Sequence, residues 1–192
     1  MDFFEIGDSG FSLRRAESGD ICEIKKICDE CVGEGLYTEE ELGSALKSET
    51  VFLYVLQSGG KIRGYVYFMV TSPAEILSYT KIDAHLLEKA ADMRSAVGKI
   101  QSVAVVGDCR GRGLSVDMIN FALSLLEKMG IGTVFIACWK RGNYVPLGRS
   151  VEKCGFSILS ETGEIWYDNE RLKCPYCGGR CRCHAELYYK KI

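Results

Sequence analysis

Two short stretches concentrate the residues able to do chemistry. The first, CPYCGGRCRCH, spans residues 174 to 184 and sets Cys174, Cys177, Cys181 and Cys183 beside His184. Four thiolates suit tetrahedral zinc. The glycines after Cys177 favour a knuckle whose backbone N–H groups turn toward the sulfurs. The second pair is C-x-C and follows the first at once, so this is a compact variant of the zinc ribbon. His184 could take the place of Cys181 or Cys183, iron is the main alternative metal, and reduced or disulfide-bonded sulfurs remain open. A site closed by four sulfurs has no open coordination position, which makes it a structural clasp rather than a catalytic centre. Arg180 and Arg182 add a weaker case for docking a partner.

The second stretch is CRGRGLS, residues 109 to 115. It follows the β-branched run GKIQSVAVV (98–106) and opens a helical stripe of Leu114, Met118, Phe121, Ala122, Leu125, Leu126 and Met129. Strand, glycine loop, helix is the geometry of a phosphate site, because unpaired N–H groups and the positive end of the helix dipole converge there. Gly111 and Gly113 let a ligand approach the backbone, and Arg110 and Arg112 supply cations. The loop is not a Walker A motif, and it lacks both the third glycine and the distal acid of a dinucleotide-binding fingerprint.

The elements that must hold these stretches are legible as patterns. FSLRRA (11–16) alternates like a strand, and Ile21, Ile24, Ile27, Cys28 and Cys31 form one apolar face of a helix capped by Ser18 or Asp20. Residues 36–46 read as a second helix capped by Thr38. VFLYVLQ (51–57) and KIRGYVYFMV (61–70), joined through Gly59-Gly60, read as a hairpin. A helix over 83–96, with Leu86, Leu87, Ala90 and Met93 on one side, is expected between the hairpin and the strand 98–106. TVFIACWK (133–140), FSIL (156–159), IWY (165–167) and AELYYKKI (185–192) read as strands. The C-x-x-C of Cys28 and Cys31 lies within an apolar face and reads as core packing, and so do Cys138 and Cys154. Cys109 is expected partly exposed and reactive, and His85 at the surface.

The chain has 192 residues, 47% hydrophobic and 26% charged, with a net charge of -2. That suits one soluble domain over 1–192 and gives no electrostatic case for nucleic acid. No apolar run of membrane-spanning length occurs, so no membrane partner is expected. MDFFEIGDSG does not read as an export signal, which points to the cytoplasm, where clustered cysteines tend to bind metal.

Together these residues resemble the GNAT superfamily of acyl-CoA-dependent N-acetyltransferases. Val105 matches the valine of that family's V-x-P, Gly107 stands at its proline, and Arg110-Gly111-Arg112-Gly113-Leu114-Ser115 matches its [QR]-x-x-G-x-[GA] loop, with Ser115 in the small-residue place. The order of elements agrees over nearly the whole chain. The resemblance implies an α/β fold: a mixed, mostly antiparallel sheet of about six to seven strands flanked by helices, with the metal knuckle as an insertion over 170–184 in the last hairpin. It implies acetyl-CoA as cosubstrate, with the pyrophosphate on the amides of 110–115, the pantetheine along Val103, Ala104 and Val105, and Asn143 bonded to the pantetheine arm. It further implies that the strands 98–106 and 133–140 diverge around the thioester, which a neutral amine attacks directly. The family's tyrosine, which protonates the leaving thiolate, falls on Val151; Tyr144 and Ser150 are the nearby substitutes. No base is named by the motif, leaving a relayed water or an acid from the helix 83–96.

The acceptor is an amine of a small molecule or a protein, and a homodimer stays open. The alternative from another class is a catalytically weak or inactive acyl-CoA-binding regulatory module. Substituting Gly113→Asp is expected to weaken coenzyme A binding strongly; unchanged affinity in a calorimetric titration with acetyl-CoA would remove the loop from the site.

Overall fold

A computed structural model describes residues 4–6 and 10–192. Residues 1–3 and 7–9, part of the stretch read above for an export signal, lie outside the described residues. In chain order the elements are β1 (Phe4–Ile6), β2 (Phe11–Arg15), α1 (Ile21–Cys31), α2 (Glu39–Ala45), β3 (Val51–Ser58), β4 (Lys61–Thr71), α3 (Pro73–Thr80), α4 (Ala84–Ala90), β5 (Val97–Val105), α5 (Leu114–Lys128), β6 (Thr133–Lys140), α6 (Gly148–Lys153), β7 (Ser157–Thr162) and β8 (His184–Lys191).

Local chemistry explains most boundaries. Thr38 accepts from the Glu41 N–H, and the Glu41 carboxylate accepts from the Thr38 N–H in return, so α2 starts on a capping box. Ser72 caps α3 in the same way, with Pro73 preset for the first turn. The helix expected over 83–96 is the shorter α4, and α3 precedes it as a further helix that was not expected. Lys81 turns into the left-handed region (φ 57), which ends α3, and Asp83 caps α4, which stops at Ala90. Leu87 and Ala90 are buried as expected, whereas Met93 lies beyond α4 and is exposed.

The strands form one sheet in the order β1-β2-β3-β4-β5-β6-β8-β7. It has eight strands rather than six to seven, because Phe4–Ile6 adds an edge strand. The IWY stretch is not a strand: Ile165 to Tyr167 lie in turns, where Ile165 packs its side chain inward. Every pairing is antiparallel except β5 with β6. The chain's last strand enters between β6 and β7, and although β7 and β8 are antiparallel neighbours that a short turn could join, a long connection over 163–183 links them.

Helix α5 covers one face, where Met118, Ala122 and Leu126 pack with Ile100 and Val134. On the other face Ile24 and Ile27 of α1 pack on Leu53, Val55, Tyr65 and Ala104, and Leu87 of α4 packs on Phe135 and Leu187. Gly64 lets β4 lie close on β5. A Cβ there would sit 2.4 Å from the Ala104 carbonyl oxygen. Gly64→Ala is expected to cost about 1–3 kcal/mol, as overpacking against backbone does, and a shift in the urea midpoint at unchanged slope would show it.

Candidate functional site

The site begins where two strands part. β5 and β6 pair only from Gly98–Val134 to Ile100–Ile136. Beyond Ile100, β5 keeps β4 as its neighbour but has no partner on its other side. At the same point the β4–β5 register slips: Phe68 pairs with Ile100 and Tyr67 with Ser102, leaving Gln101 as a bulge. A bulge strengthens the local twist and bends its strand, which turns the end of β5 away from β6. A cavity of about 960 Å³ fills the gap, lined by β5 from Gln101 to Val105 and by β6 from Ile136 to Trp139.

The glycine loop closes one end. A 3-10 turn over Gly107–Cys109 leads into Gly111 (φ 79) and Gly113 (φ 82). A side chain at either would be strained, and a Cβ would meet no atom within 4 Å, so the backbone there faces open space. The Arg110 N–H bonds to the Gly107 carbonyl, and the next amide to find a backbone acceptor is Val116, on Gly113 at 2.8 Å. The N–H groups between them, at 111 to 115, stay free at the start of the 15-residue α5. Gly111, Gly113, Leu114 and Ser115 line the cavity. Free amides, open space and a helix dipole are what an anionic phosphate requires.

The sequence-predicted residues divide. Val103, Ala104, Val105, Arg110, Gly111, Gly113, Leu114, Ser115, Tyr144 and Ser150 all line one cavity. Arg110 folds back so that its Nε donates to the Val105 carbonyl at 2.9 Å, holding the loop to the strand. Ser150 and Ser115 share a hydroxyl bond of 2.8 Å, which ties α6 to the first turn of α5. Tyr144 is 62% exposed, whereas Val151 is fully buried in the core. Arg112 and Asn143 stand apart from the cavity wall: the Arg112 guanidinium lies 5.9 Å from the Phe11 ring centroid, and Asn143 is exposed in a turn closed by reciprocal bonds between Arg141 and Tyr144. Arg149 and Lys153 of α6 line the cavity instead and put two more cations on the glycine-loop side. Their spacing of one helical turn was visible in RSVEK, but only the packing of α6 beside α5 turns it toward the loop.

The other end is aromatic. Tyr37, Tyr67, Tyr79 and Trp139 line it, together with the ion pair of Glu41 and Arg171; Glu30 also borders the cavity. The Tyr37 hydroxyl donates to Ser102 Oγ at 3.2 Å, and Ser102 donates to the Tyr65 hydroxyl at 3.3 Å. Burial drives the Tyr37 and Tyr65 phenols well above their ordinary range, so both stay protonated. The bond from Arg171 holds Glu41 below the usual carboxylate range, keeping it ionised and paired. No acid of α3 or α4 lines the cavity; α3 contributes Tyr79. Cys138 lines the cavity, but burial pushes its thiol up strongly, which leaves it unreactive. Cys28 is also buried and raised to about 11, as a packing residue would be. Cys109, expected partly exposed, is buried, because the 3-10 turn folds it into the core. His85 is at the surface, with its side chain 70% exposed.

The sulfurs of Cys174, Cys177, Cys181 and Cys183 lie within 4.8 Å of one another. Cys183 is 3.8 Å from Cys174 and 3.6 Å from Cys177, sulfur to sulfur. A tetrahedron with Zn–S bonds of ~2.3 Å has S–S edges of ~3.8 Å, so the cluster fits that ion. All four are free thiols rather than disulfides. The knuckle is closed by the Gly178 N–H on the Cys174 carbonyl and the Cys174 N–H on Gly179, and the Arg182 N–H reaches the Cys177 sulfur at 3.4 Å. His184 does not join the cluster: its Nδ1 lies 2.8 Å from Glu161 Oε1 across the β7–β8 pair. Cys174 and Cys181 also border the cavity.

No family model matches the chain, and no curated protein matches it. Solved structures do match its fold. One is NAA60 of Arabidopsis thaliana in complex with acetyl-CoA, with a TM-score of 0.71 at 14% identity over 95% of this chain and 98% of that one. Another is the ribosomal-protein-S18-alanine N-acetyltransferase of Escherichia coli, with a TM-score of 0.63 at 16% identity over 95% and 94%. A third is a polyamine N-acetyltransferase of Drosophila melanogaster, with a TM-score of 0.65 at 12% identity over 95% and 100%. The chain therefore has the fold of GNAT acetyltransferases.

Behind Tyr79, the Lys99 ammonium sits 3.5 Å from the ring centroid, and burial lowers its pKa from 10.5 to about 8. The unfolded chain keeps this proton to higher pH than the folded one. Below pH 8 both states are charged and folding carries the full burial penalty, which fades as pH rises from 8 toward 10.5. Lys99→Met is expected to stabilise the protein at pH 7, with the gain shrinking by pH 10; urea midpoints at both pH values measure it.

Proposed function

We propose that this chain transfers an acetyl group from acetyl-CoA to a primary amine by direct attack on the thioester. The observation that carries this reading is the parting of β5 from β6 after Ile100 and Ile136, with one cavity joining that gap to the free amides of the glycine loop. The free N–H groups of 111 to 115 would take the pyrophosphate, with Arg149, Lys153 and Arg110 as cations around it. Arg112 and Asn143 would serve only after moving toward the cavity. The edge of β5 at Val103, Ala104 and Val105, which no other strand pairs, offers the pantetheine amides a strand to pair with, although the Val105 carbonyl already accepts from Arg110. That edge brings the thioester to the fork, where a β5 N–H near Val103 can stabilise the charge growing on the carbonyl oxygen.

The acceptor then enters from the aromatic end, where ring faces can cover the carbon chain of an amine. Its amine must lose a proton before attack. With Tyr37 and Tyr65 held protonated and Glu41 paired to Arg171, that proton leaves by water rather than to a dedicated base. The thiolate leaves at the other end, where Tyr144 or Ser150 would return a proton. A coenzyme thiol with a pKa of roughly 8.5 departs without full protonation, so a weakly placed donor suffices.

In this reading residues 1–192 form one domain, with the knuckle of 170–184 inserted in the β7–β8 connection. The knuckle holds structural Zn²⁺ on Cys174, Cys177, Cys181 and Cys183, as its fit to a tetrahedron of sulfurs supports, and the protein works in the cytoplasm, where such thiols stay reduced. The test is a thiol-release assay with acetyl-CoA and a panel of amines, alongside metal analysis of protein purified without added zinc. Repeated turnover on at least one amine and close to one equivalent of zinc are expected. Tight acetyl-CoA binding with no turnover on any amine would favour a regulatory acyl-CoA-binding module, and under about half an equivalent of metal would remove the metal assignment.

A further inference from the structure

The connection from β7 to β8 does more than carry the cysteines. From the far edge of the sheet it runs across to the opposite half of the molecule. Lys81 at the end of α3 pairs with its Asp168 at 2.9 Å. The Lys173 N–H then donates to the Glu34 carbonyl at 2.8 Å, and the Lys173 ammonium and Arg171 guanidinium each reach a carboxylate, Glu34 and Glu41, at 2.6 Å. The contact is backbone on backbone. Gly35 holds φ 77, and a Cβ there would lie 2.3 Å from the Arg171 carbonyl oxygen; one at Gly33 would lie 2.6 Å from a Leu172 methyl. The loop between α1 and α2 is thus shaped to receive this strap, and the strap bridges the two halves of the sheet that part at the fork.

Its return leg is the four-cysteine cluster. Cys174, Cys181 and Cys183 are buried with Leu172 in a small core of their own, against Leu36, Trp139 and Trp166. Four sulfurs within 4.8 Å of one another suit a shared metal, which would cross-link the two legs of the loop beneath Leu172 and the tryptophans. Tyr176 lies between the ligands Cys174 and Cys177. Its ring rests 4.2 Å from Trp139 and under the Arg141 guanidinium at 4.8 Å, and both rings line the cavity. Trp139 is on β6, beyond the fork, at the aromatic end.

Resting on the acetyl-transfer reading, we infer that the metal knuckle is the acceptor-positioning wall of the site. The metal fixes Tyr176 against Trp139 and locks the strap onto the α1–α2 loop, and Tyr176 is a specificity-determining residue for the amine acceptor. The phosphate end, built on α5 and β5, does not depend on it.

Two measurements on the full chain test this. In the first, zinc is removed with a chelator and hydrogen exchange is followed. Faster exchange is expected in 171–176 and 33–37, with β5 and 107–115 unchanged and acetyl-CoA affinity within about two-fold, a coupling below the ~1.4 kcal/mol of a tenfold change. Unchanged exchange in the strap would overturn the inference, and so would equal loss of protection throughout the protein. In the second, Tyr176→Ala is compared with wild type at full zinc content and saturating acetyl-CoA, using the best amine of the panel. The acceptor KM is expected to rise about ten-fold, the scale of losing an aromatic contact that the acceptor would cover, with KM for acetyl-CoA unchanged. An unchanged acceptor KM would overturn it. Should no amine turn over, the transferase reading falls, while the exchange experiment still decides whether the metal holds the strap.

Discussion

The pairing of β5 with β6 stops after Ile100 and Ile136, and the two strands then keep different neighbours. β5 continues along β4 to Val105, and β6 continues along β8 to Lys140. A sheet that gives up hydrogen bonds in its middle leaves strand groups needing partners, since buried backbone amides and carbonyls are costly unpaired. Here the unpaired edge faces a cavity wide enough for an extended ligand. The Gln101 bulge fixes where the parting occurs, because an extra residue on β5 bends it away just after its last pair with β6.

A fork of this kind weakens the molecule unless its halves are joined elsewhere. Helix α5 joins them on one face by packing on Ile100 and Val134 below the fork, where the strands still touch. Above the fork the joint is the β7–β8 connection. Its backbone meets the α1–α2 loop at Glu34 and Lys173, and two ion pairs flank that bridge. Such exposed, solvent-screened pairs contribute little, so the fit of Gly33 and Gly35 to the strap and the packing of the cysteine core matter more.

Charge is concentrated at one end of the cavity. Arg110, Arg149 and Lys153 line the glycine-loop side, whereas Glu41 is neutralised by Arg171, which lines the cavity with it. An anionic ligand would be drawn to the glycine loop, which a net charge of -2 for the whole chain conceals.

The glycine loop and the cysteine cluster were legible because each works through local geometry. A positive φ at Gly111 and Gly113 and free amides at a helix start need only nearby residues, and sulfurs spaced as in CPYCGGRCRC can reach one ion from a single turn of chain. Helix α1, the β3–β4 hairpin and the buried β5 and β6 followed from periodicity for the same reason. What the sequence could not carry were contacts between distant segments. Nothing in IWY or RLK says that this stretch leaves the sheet to lie on Gly35, and the β-branched look of IWY argued for a strand that the turns around it do not allow. The exclusion of His184 from the cluster came from Glu161, on the neighbouring strand. The burial of Cys109 and the turning of Arg149 and Lys153 toward the loop came from packing on α5. The sequence by itself determined a glycine loop at a helix start, a cluster of four cysteines and an α/β order of elements. Only the tertiary structure decided that the loop and the cluster border one cavity, because that depends on where β5 and β6 separate and on which loop the returning chain finds to pair with.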